Sequence, residues 1–406
     1  MNPGHEAHTA CATAGRAPAA PDIRVSRFRG PAGAMLHVAL ARGARDEPLP
    51  ANGGLRLVTG RFAGGGPCRR SRRLAAEMLL KHQLHRTGFS GAKLVLTGAR
   101  AVEDELLAWT AAVLDQYAGT LYTGADMGVT AHDMARLACL TPYVLNAVGS
   151  SVEPHVPAAF GVLGALEAWS GGPVAGLRVL VQGAGRVGAV PAAVLAAAGA
   201  TVLVHDSAPG AAEIPGCLPV RDWAAAEVDV FVPCSASDLV GPGLARRLSC
   251  GAVIGSANAV LADEAATLRV LADRGIVYLP TPLVNAGAVI VDSIEYYAPA
   301  AFRTADPEHV YAFVTSTVRE SVARLLAEAD TATAPATPTA LLRPPPEPGY
   351  CGPRFARSFP AELPHRPPGE PGSDAARTPP SPWHGGAPPR GNGSSAGAHG
   401  YRWGAR

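Results

Sequence analysis

Two sets of residues in this 406-residue chain have the types and spacing for chemistry. One is glycine. Gly183, Gly185 and Gly188 form a G-x-G-x-x-G directly after the run Val179–Val181, which has the composition of a buried parallel strand. In such a motif the first glycine permits a tight turn and the second lets backbone approach a pyrophosphate. The third lets the following helix pack on the strand. A helix over 187–198, closed by Gly199, and a second strand over 201–205 then deliver Asp206, eighteen residues beyond the last glycine. A carboxylate there accepts hydrogen bonds from the adenosine ribose and repels a 2′-phosphate. Ser207, Ala208 and Pro209 follow with no arginine among them, so the segment predicts NAD rather than NADP. The expected cofactor contacts are Gly183, Ala184, Gly185, Arg186, Val187, Gly188 and Asp206. The alternative is a glycine-rich turn in another kind of α/β protein.

The other set is lysine. Among 35 lysines and arginines only Lys81 and Lys93 are lysine. A desolvated lysine can release its proton, whereas arginine effectively cannot. The pair is therefore a candidate for proton chemistry or anion binding; the alternative is chance composition. Lys81 falls on the apolar stripe of a helix expected from an N-capping Ser71 to about Arg86, with Leu74, Met78 and Leu84 or His85. A bare ammonium on that face needs an anionic partner or must snorkel to solvent. Lys93 is expected at the mouth of a strand, after the glycine turn of GFSGAKLVL at 88–96. The cluster CRRSRR at 68–73 reads as a solvated helix entry. His82 and His85 lack a third ligand nearby, so no metal is expected.

The elements that position these groups suggest two domains and a remainder. A net charge of +2 gives no reason to invoke nucleic acid. No apolar run reaches the roughly eighteen residues of a membrane span, no signal-peptide core is evident, and the seven cysteines include no C-x-x-C pair. A cytoplasmic protein is the expectation. Residues 1–20 read as disordered. Arg24–Arg29 and Met35–Ala41 read as a β-hairpin around Pro31-Ala32-Gly33, and Gly53-Gly54-Leu55-Arg56 places a glycine pair at a strand entrance. After a helix over 102–117, a short strand from Leu121 is expected to end at Asp126, which an ordinary helix-capping role near Thr130 and Asp133 would also explain. A helix over 153–169 links the halves. Strands at 228–232, 252–254 and 276–279 end at Pro233-Cys234-Ser235, Gly255-Ser256-Ala257-Asn258 and Pro280-Thr281-Pro282. Ligands of open parallel sheets bind at carboxyl ends of strands, so Cys234, Ser235, Ala257 and Asn258 join the cofactor candidates. A helix begins near Val289 and a final amphipathic one covers 308–328. From 331 to 406 the Pro, Gly, Ala and Arg composition predicts disorder. The fold class expected is α/β: an N-terminal α/β catalytic domain over 21–150, a Rossmann dinucleotide-binding domain over 151–290, C-terminal helices over 291–330 and a disordered tail.

In this order the segments resemble the glutamate/leucine/phenylalanine/valine dehydrogenases, NAD(P)-dependent amino-acid dehydrogenases, from about Ile23 to Asp330. GGLR at Gly53–Arg56 resembles that family's GG-x-R strand. Lys81 and Lys93, the second within SGAK, resemble its substrate and catalytic lysines, and TGADMG at Thr123–Gly128 its catalytic aspartate motif, here Asp126. GIVYLPTPLVNAGAVI at Gly275–Ile290 resembles the segment whose asparagine, here Asn285, reaches the substrate amino group beside the cofactor. Three departures stand out: one glycine fewer in FSGAK, Ala158 where the family usually has threonine, and a C-terminal helix that ends early at TATAPATPTALL without returning to the catalytic domain.

The resemblance implies reversible oxidative deamination of an L-amino acid to a 2-oxo acid and ammonium. Lys81 would bind the α-carboxylate, Lys93 activate water, and Asp126 exchange protons with the nitrogen. It also implies a homo-oligomer. Gly54 would contact substrate, and Asn52 and Asp292 would line the side-chain pocket. Neither suits an acidic side chain, and both would lie desolvated against an aliphatic one. That favours a substrate side chain carrying a donor or cation; if Asp292 instead points away and caps its helix, an ordinary branched-chain enzyme results. Two other classes stay open: another Rossmann oxidoreductase such as a 2-hydroxy-acid dehydrogenase, and a non-catalytic NAD-binding protein.

Overall fold

The computed structural model describes residues 21–41, 49–60, 66–185 and 188–331. The segments expected to be disordered, 1–20 and the tail from 332, lie outside the described residues, as do Arg186 and Val187.

The hairpin signal forms β1 (Ile23–Arg29) and β2 (Met35–Ala41), antiparallel with Ile23 opposite Ala41. β3 (Ala51–Asn52), β4 (Leu55–Val58), β5 (Ser90–Thr97) and β6 (Leu121–Tyr122) complete the first sheet, in the order β1-β2-β5-β3-β6 with β4 also on β5. Side-chain alternation sorts its two faces. Leu36, Val38, Leu55, Leu94 and Leu96 point to one side, where α2 (Asp104–Asp115) and α3 (Ala131–Ala138) cover them with Leu107, Leu114, Met134 and Leu137. Residues of the opposite parity, among them Ala39, Arg56, Gly91 and Lys93, face α1 (Gly66–His85). The approach is close: a Cβ on Gly91 would lie 2.3 Å from the Leu79 nitrogen and 2.4 Å from the Ala75 carbonyl oxygen.

Three local expectations are corrected. α1 starts at Gly66 with Pro67 in its first turn, where proline's missing N–H costs nothing. Ser71 is therefore interior, and its hydroxyl donates back to the Cys68 carbonyl at 3.1 Å instead of capping. Lys93 is not at a strand mouth but is the fourth residue of β5. β6 stops at Tyr122, short of Asp126; beyond it the chain keeps single bridges, Leu55 to Ala125 on one edge and Thr123 to Val144 on the other, where the Thr123 N–H donates to the Tyr143 carbonyl and its carbonyl accepts from Leu145.

The second sheet is β7 (Arg178–Gln182), β8 (Thr201–His205), β9 (Leu218–Pro219), β10 (Val230–Pro233), β11 (Ala252–Ile254) and β12 (Val277–Leu279). Every pairing is parallel, in the order β12-β11-β10-β7-β8-β9. Chain direction across the sheet reverses between β7 and β10, the switch point at which doubly wound sheets bind ligands. α5 (Ala189–Ala197), α6 (Pro242–Ala245) and α7 (Glu264–Asp273) follow their strands. Val179, Val181, Val202, Val204, Val230 and Val232 share one face and one core with α4 (Pro157–Ser170), α8 (Thr281–Val284), α9 (Gly287–Tyr297), α10 (Pro299–Thr304) and α11 (Pro307–Thr331). Among the described residues no helix is long and apolar enough to cross a membrane.

The last helix does not stop short of the first sheet's layer. Val310, Val314, Val318, Val322 and Leu325 recur at helical spacing and keep it buried. Farther along, Ser321 and Arg324 both donate to the Leu84 carbonyl of α1, at 3.3 and 3.1 Å. Its contact with α4 is backbone on backbone, since a Cβ on Gly164 would lie 2.2 Å from the Thr315 carbonyl oxygen. Gly164→Ala must push α11 away, and overpacking of this kind costs about 1–3 kcal/mol. Urea unfolding should show that loss; an unchanged midpoint would mean the helices slide apart freely.

Candidate active site

Sheet parity brings Arg56 and Lys93 to the same face, two residues beyond Gly54 and Gly91 respectively. Both converge on Asp126, which the loop after β6 carries over them. Arg56 grips the carboxylate with two hydrogen bonds, Nε to Oδ2 at 2.7 Å and Nη2 to Oδ1 at 3.0 Å. Lys93 Nζ forms an ion pair with the same Oδ2. Only glycine fits alongside, because a Cβ on Gly54 would lie 2.8 Å from the Asp126 Cβ and 3.2 Å from Lys93 Nζ. Asp126 caps no helix; Thr130 and Asp133 form the capping box of α3 by themselves.

Burial lowers the pKa of Lys93, and the Arg56 charge adds to the effect while Asp126 opposes it. For Asp126 burial acts upward, but the Lys93 and Arg56 charges outweigh it and hold the carboxyl well below the usual carboxylate range. Lys81 lies on the α1 face toward this cluster, partly buried, with no carboxylate at ion-pairing distance among the described residues. Desolvation brings its ammonium down to about 8; Glu77, one turn earlier, opposes this and the Lys93 charge adds to it. An unpaired cation beside a buried ion cluster is a ready anion site.

Asn52 and Asp292 meet: Asn52 Nδ2 donates to Asp292 Oδ2 at 2.7 Å, joining β3 to α9. Asp292 lies past the first turn of α9 and does not cap it. Burial raises its pKa well above the ordinary carboxyl value, the Glu295 charge adds to this, and Asn52 opposes it. Asn52 Oδ1 is buried without a partner. The expectation that an aliphatic ligand would strand both groups is thus corrected, because each satisfies the other and one acceptor is left over.

On the second sheet, Gly183 has φ +95, and a Cβ there would lie 2.5 Å from that of Ser235. On Gly188 a Cβ would lie 1.8 Å from the Gly183 carbonyl oxygen, whereas one on Gly185 would meet nothing within 4 Å. Among the described residues the loop is thus tight at Gly183 and Gly188 and open at Gly185, a pattern that fits the approach of a dinucleotide. Asp206 accepts from the Ala208 N–H at 2.8 Å and the Ala184 N–H at 2.6 Å, and those bonds lower its pKa. At the strand ends Ser235 Oγ donates to Gln182 Oε1 at 2.5 Å, and Ser256 Oγ donates to Cys234 Sγ at 3.2 Å. Burial pushes the Cys234 thiol up, so this floor is uncharged. The Ala257 and Asn258 carbonyls accept from Thr281 and Ser237. Asn285 Nδ2 donates to the Ser256 carbonyl at 2.6 Å. Among the described residues no group of His, Cys, Asp and Glu could hold a metal ion.

Several participants escape a sequence reading. Arg56 was legible only as part of a strand, although its parity with Lys93 across β4 and β5 marks its face. Asn146, whose Oδ1 accepts from the Ala125 N–H at 3.0 Å, and Glu295, whose Oε2 accepts from the Ala147 N–H at 2.8 Å, carry no local signal.

The chain has known relatives. A family model for glutamate/leucine/phenylalanine/valine dehydrogenase matches residues 204–342. The chain is 32% identical over 248 residues to a phenylalanine dehydrogenase of Caldalkalibacillus thermarum, covering 56% of this chain and 67% of the relative. With the phenylalanine dehydrogenase of Lysinibacillus sphaericus it shares 30% over 249 residues, covering 56% and 65%. The matched region thus spans about two thirds of these relatives' length. The crystal structure of L-tryptophan dehydrogenase from Nostoc punctiforme superposes with TM-score 0.63 at 23% identity, covering 83% of this chain and 96% of that one, a likeness of fold.

Asp126→Asn removes the one counterion of two buried cations, Arg56 and Lys93. Breaking a buried ion pair from one side costs about 3–5 kcal/mol, so denaturant unfolding should show a loss of that order. A loss below about 1 kcal/mol, the range of exposed pairs, would mean that water screens the cluster.

Proposed function

The chain belongs to the glutamate/leucine/phenylalanine/valine dehydrogenase family, and from that premise we propose that it is an NAD-dependent amino-acid dehydrogenase acting on CH–NH2. The reaction is L-amino acid, NAD+ and water to 2-oxo acid, ammonium, NADH and a proton. The observation that carries the reading is the buried Arg56–Asp126–Lys93 cluster with the unpaired Lys81 beside it.

The glycine loop from Gly183 to Gly188, Asp206 and Asn285 would hold NAD, which when bound would supply the two-electron acceptor. The chain's own residues do the rest. Lys81, which no described carboxylate pairs at ion-pair distance, takes the substrate α-carboxylate. Lys93, lowered by burial, accepts a proton from water and afterwards, as ammonium, faces the developing oxyanion. Asp126 exchanges protons with the departing nitrogen, and Arg56 keeps its carboxylate ionised and in place. Gly54 leaves the space between them. A cytoplasmic homo-oligomer belongs to the same proposal and rests on family resemblance.

For the substrate side chain the Asn52–Asp292 pair supports a group that brings a hydrogen-bond donor. Its leftover groups are the orphan acceptor Asn52 Oδ1 and a carboxyl that burial holds toward its protonated form and that an incoming cation would ionise. An acidic side chain would face that orphan acceptor and a second carboxyl that would have to stay protonated beside it.

Oxidation of NADH that requires both ammonium and a 2-oxo acid is the expected activity. Oxidation without ammonium would indicate a 2-hydroxy-acid dehydrogenase, and NADH binding without turnover a non-catalytic protein. Lys93→Arg keeps the charge but not the base, so turnover should fall by at least about a hundredfold with NADH affinity retained. A variant keeping a tenth of wild-type turnover would remove Lys93 from the chemistry.

Specificity is tested by kcat/KM for leucine, valine, tryptophan, ornithine and arginine in wild type and Asp292→Val. The donor-bearing substrates should lead in the wild type and lose by roughly tenfold, one hydrogen bond's worth, in the variant. Leucine or valine leading in both proteins would refute the polar pocket.

A further inference from the structure

Arg56 and Lys93 fix the carboxylate of Asp126, and the backbone that carries it runs on past the end of β6 at Tyr122 through single bridges, Leu55 to Ala125 on one edge and Thr123 to Val144 on the other. Thr123 pairs through its backbone with the 143–145 segment, its hydroxyl donates to the Gly53 carbonyl at 2.9 Å, and the Gly124 carbonyl accepts from Leu55 N–H at 2.9 Å. The N–H of Ala125, the residue before Asp126, is taken by the side chain of Asn146, which is 8% exposed.

Asn146 is held in turn. Ala147, next to it, has φ +55, a left-handed conformation that alanine adopts only under constraint. The constraint comes from 148 residues away, where Glu295 Oε2 accepts the Ala147 N–H at 2.8 Å. Glu295 belongs to α9, which is mounted against the first sheet's layer by three further contacts: Asp292 to Asn52, Ser293 Oγ to the Thr87 carbonyl at 2.7 Å, and Tyr297 OH to the Gly88 carbonyl at 2.7 Å. At its other end α9 begins beside Asn285, whose amide lies on the strand end of the cofactor side.

We propose that Glu295 and Asn146 are positioning residues for Asp126: Glu295 holds the Ala147 turn, and the turn aims Asn146 at the peptide N–H that sets where the Asp126 carboxylate lies. Neither touches the reacting atoms. The inference rests on the role assigned to Asp126, and it connects α9, which starts at the cofactor side, to the acid–base group.

Two readouts keep the relay and that role separate. One is kcat, with KM for the amino acid and Kd for NADH measured alongside. The other is the titration of Lys93 followed by NMR of 13Cε-labelled lysine, uncrowded because the chain has two lysines; it senses Asp126 whether or not Asp126 is catalytic. Glu295→Leu and Asn146→Leu should each lower kcat by roughly tenfold or more, leave Kd for NADH within about twofold, and lower the Lys93 pKa further as its counterion drifts. The double variant should be no worse than the worse single one, because both act through one path. Ala147→Gly, which removes the conformational cost of the turn, should restore much of the loss in Glu295→Leu, and Glu295→Gln, which keeps an acceptor, should stay within about threefold of wild type.

Altered Lys93 titration with unchanged kcat would uphold the relay and overturn the catalytic role of Asp126. An unchanged titration, multiplicative losses in the double variant, or no rescue by Ala147→Gly would each overturn the relay. Should Glu295→Leu fail to fold alone, the smaller truncation Glu295→Ala takes its place in each of these comparisons.

Discussion

The carboxylate of Asp126 is what allows two cations to lie on one buried face of the first sheet. Arg56 and Lys93, from neighbouring strands, are each about 5% exposed. Two dehydrated cations in that position would cost several kcal/mol each without a counterion. One carboxylate bound through both oxygens serves both. The same arrangement tunes the chemistry, because Asp126 is held ionised while dehydration leaves Lys93 more willing to give up its proton than a surface lysine. The cluster tolerates no bulk at Gly54. Acid–base character, strand parity and a glycine are thus one constraint seen from three sides.

The helices that flank the second sheet are joined through glycines of α4 and α9. A Cβ on Gly161 would lie 2.5 Å from the Val284 carbonyl oxygen, and one on Gly287 2.0 Å from that of Pro157. With Gly164 against α11, these positions let helix backbones touch directly, leaving little freedom for rotamer-by-rotamer sliding. α9 is mounted on this base and sends side chains to Asn52, Thr87, Gly88 and Ala147. Ala158 sits at the same joint, its backbone nitrogen 2.8 Å from where a Cβ on Gly287 would be.

The glycine loop of the second sheet shows a division of labour within one motif. Gly183 and Gly188 are required by the protein's own packing, whereas among the described residues Gly185 meets nothing.

The sequence by itself determined what is periodic or rare. Alternation fixed the hairpin and the two faces of the first sheet. G-x-G-x-x-G between strand and helix fixed the second sheet's first turn, and the scarcity of lysine singled out the two that lie at the cluster. These signals are local: each is readable within a window of a few residues, because backbone geometry repeats every two residues or every 3.6. Tertiary structure decided the rest. Arg56 and Asp126 are 70 residues apart, Ala147 and Glu295 148, Asn52 and Asp292 240. No window contains both partners, and nothing in the composition near Asn146 or Glu295 announces a role. Even Ser71, a good N-cap by type, lies inside α1 because the helix starts five residues earlier at Gly66. A residue's face follows from its neighbours in sequence, but its partner follows from which layers pack together, and that is settled by the burial of whole faces rather than by any one segment.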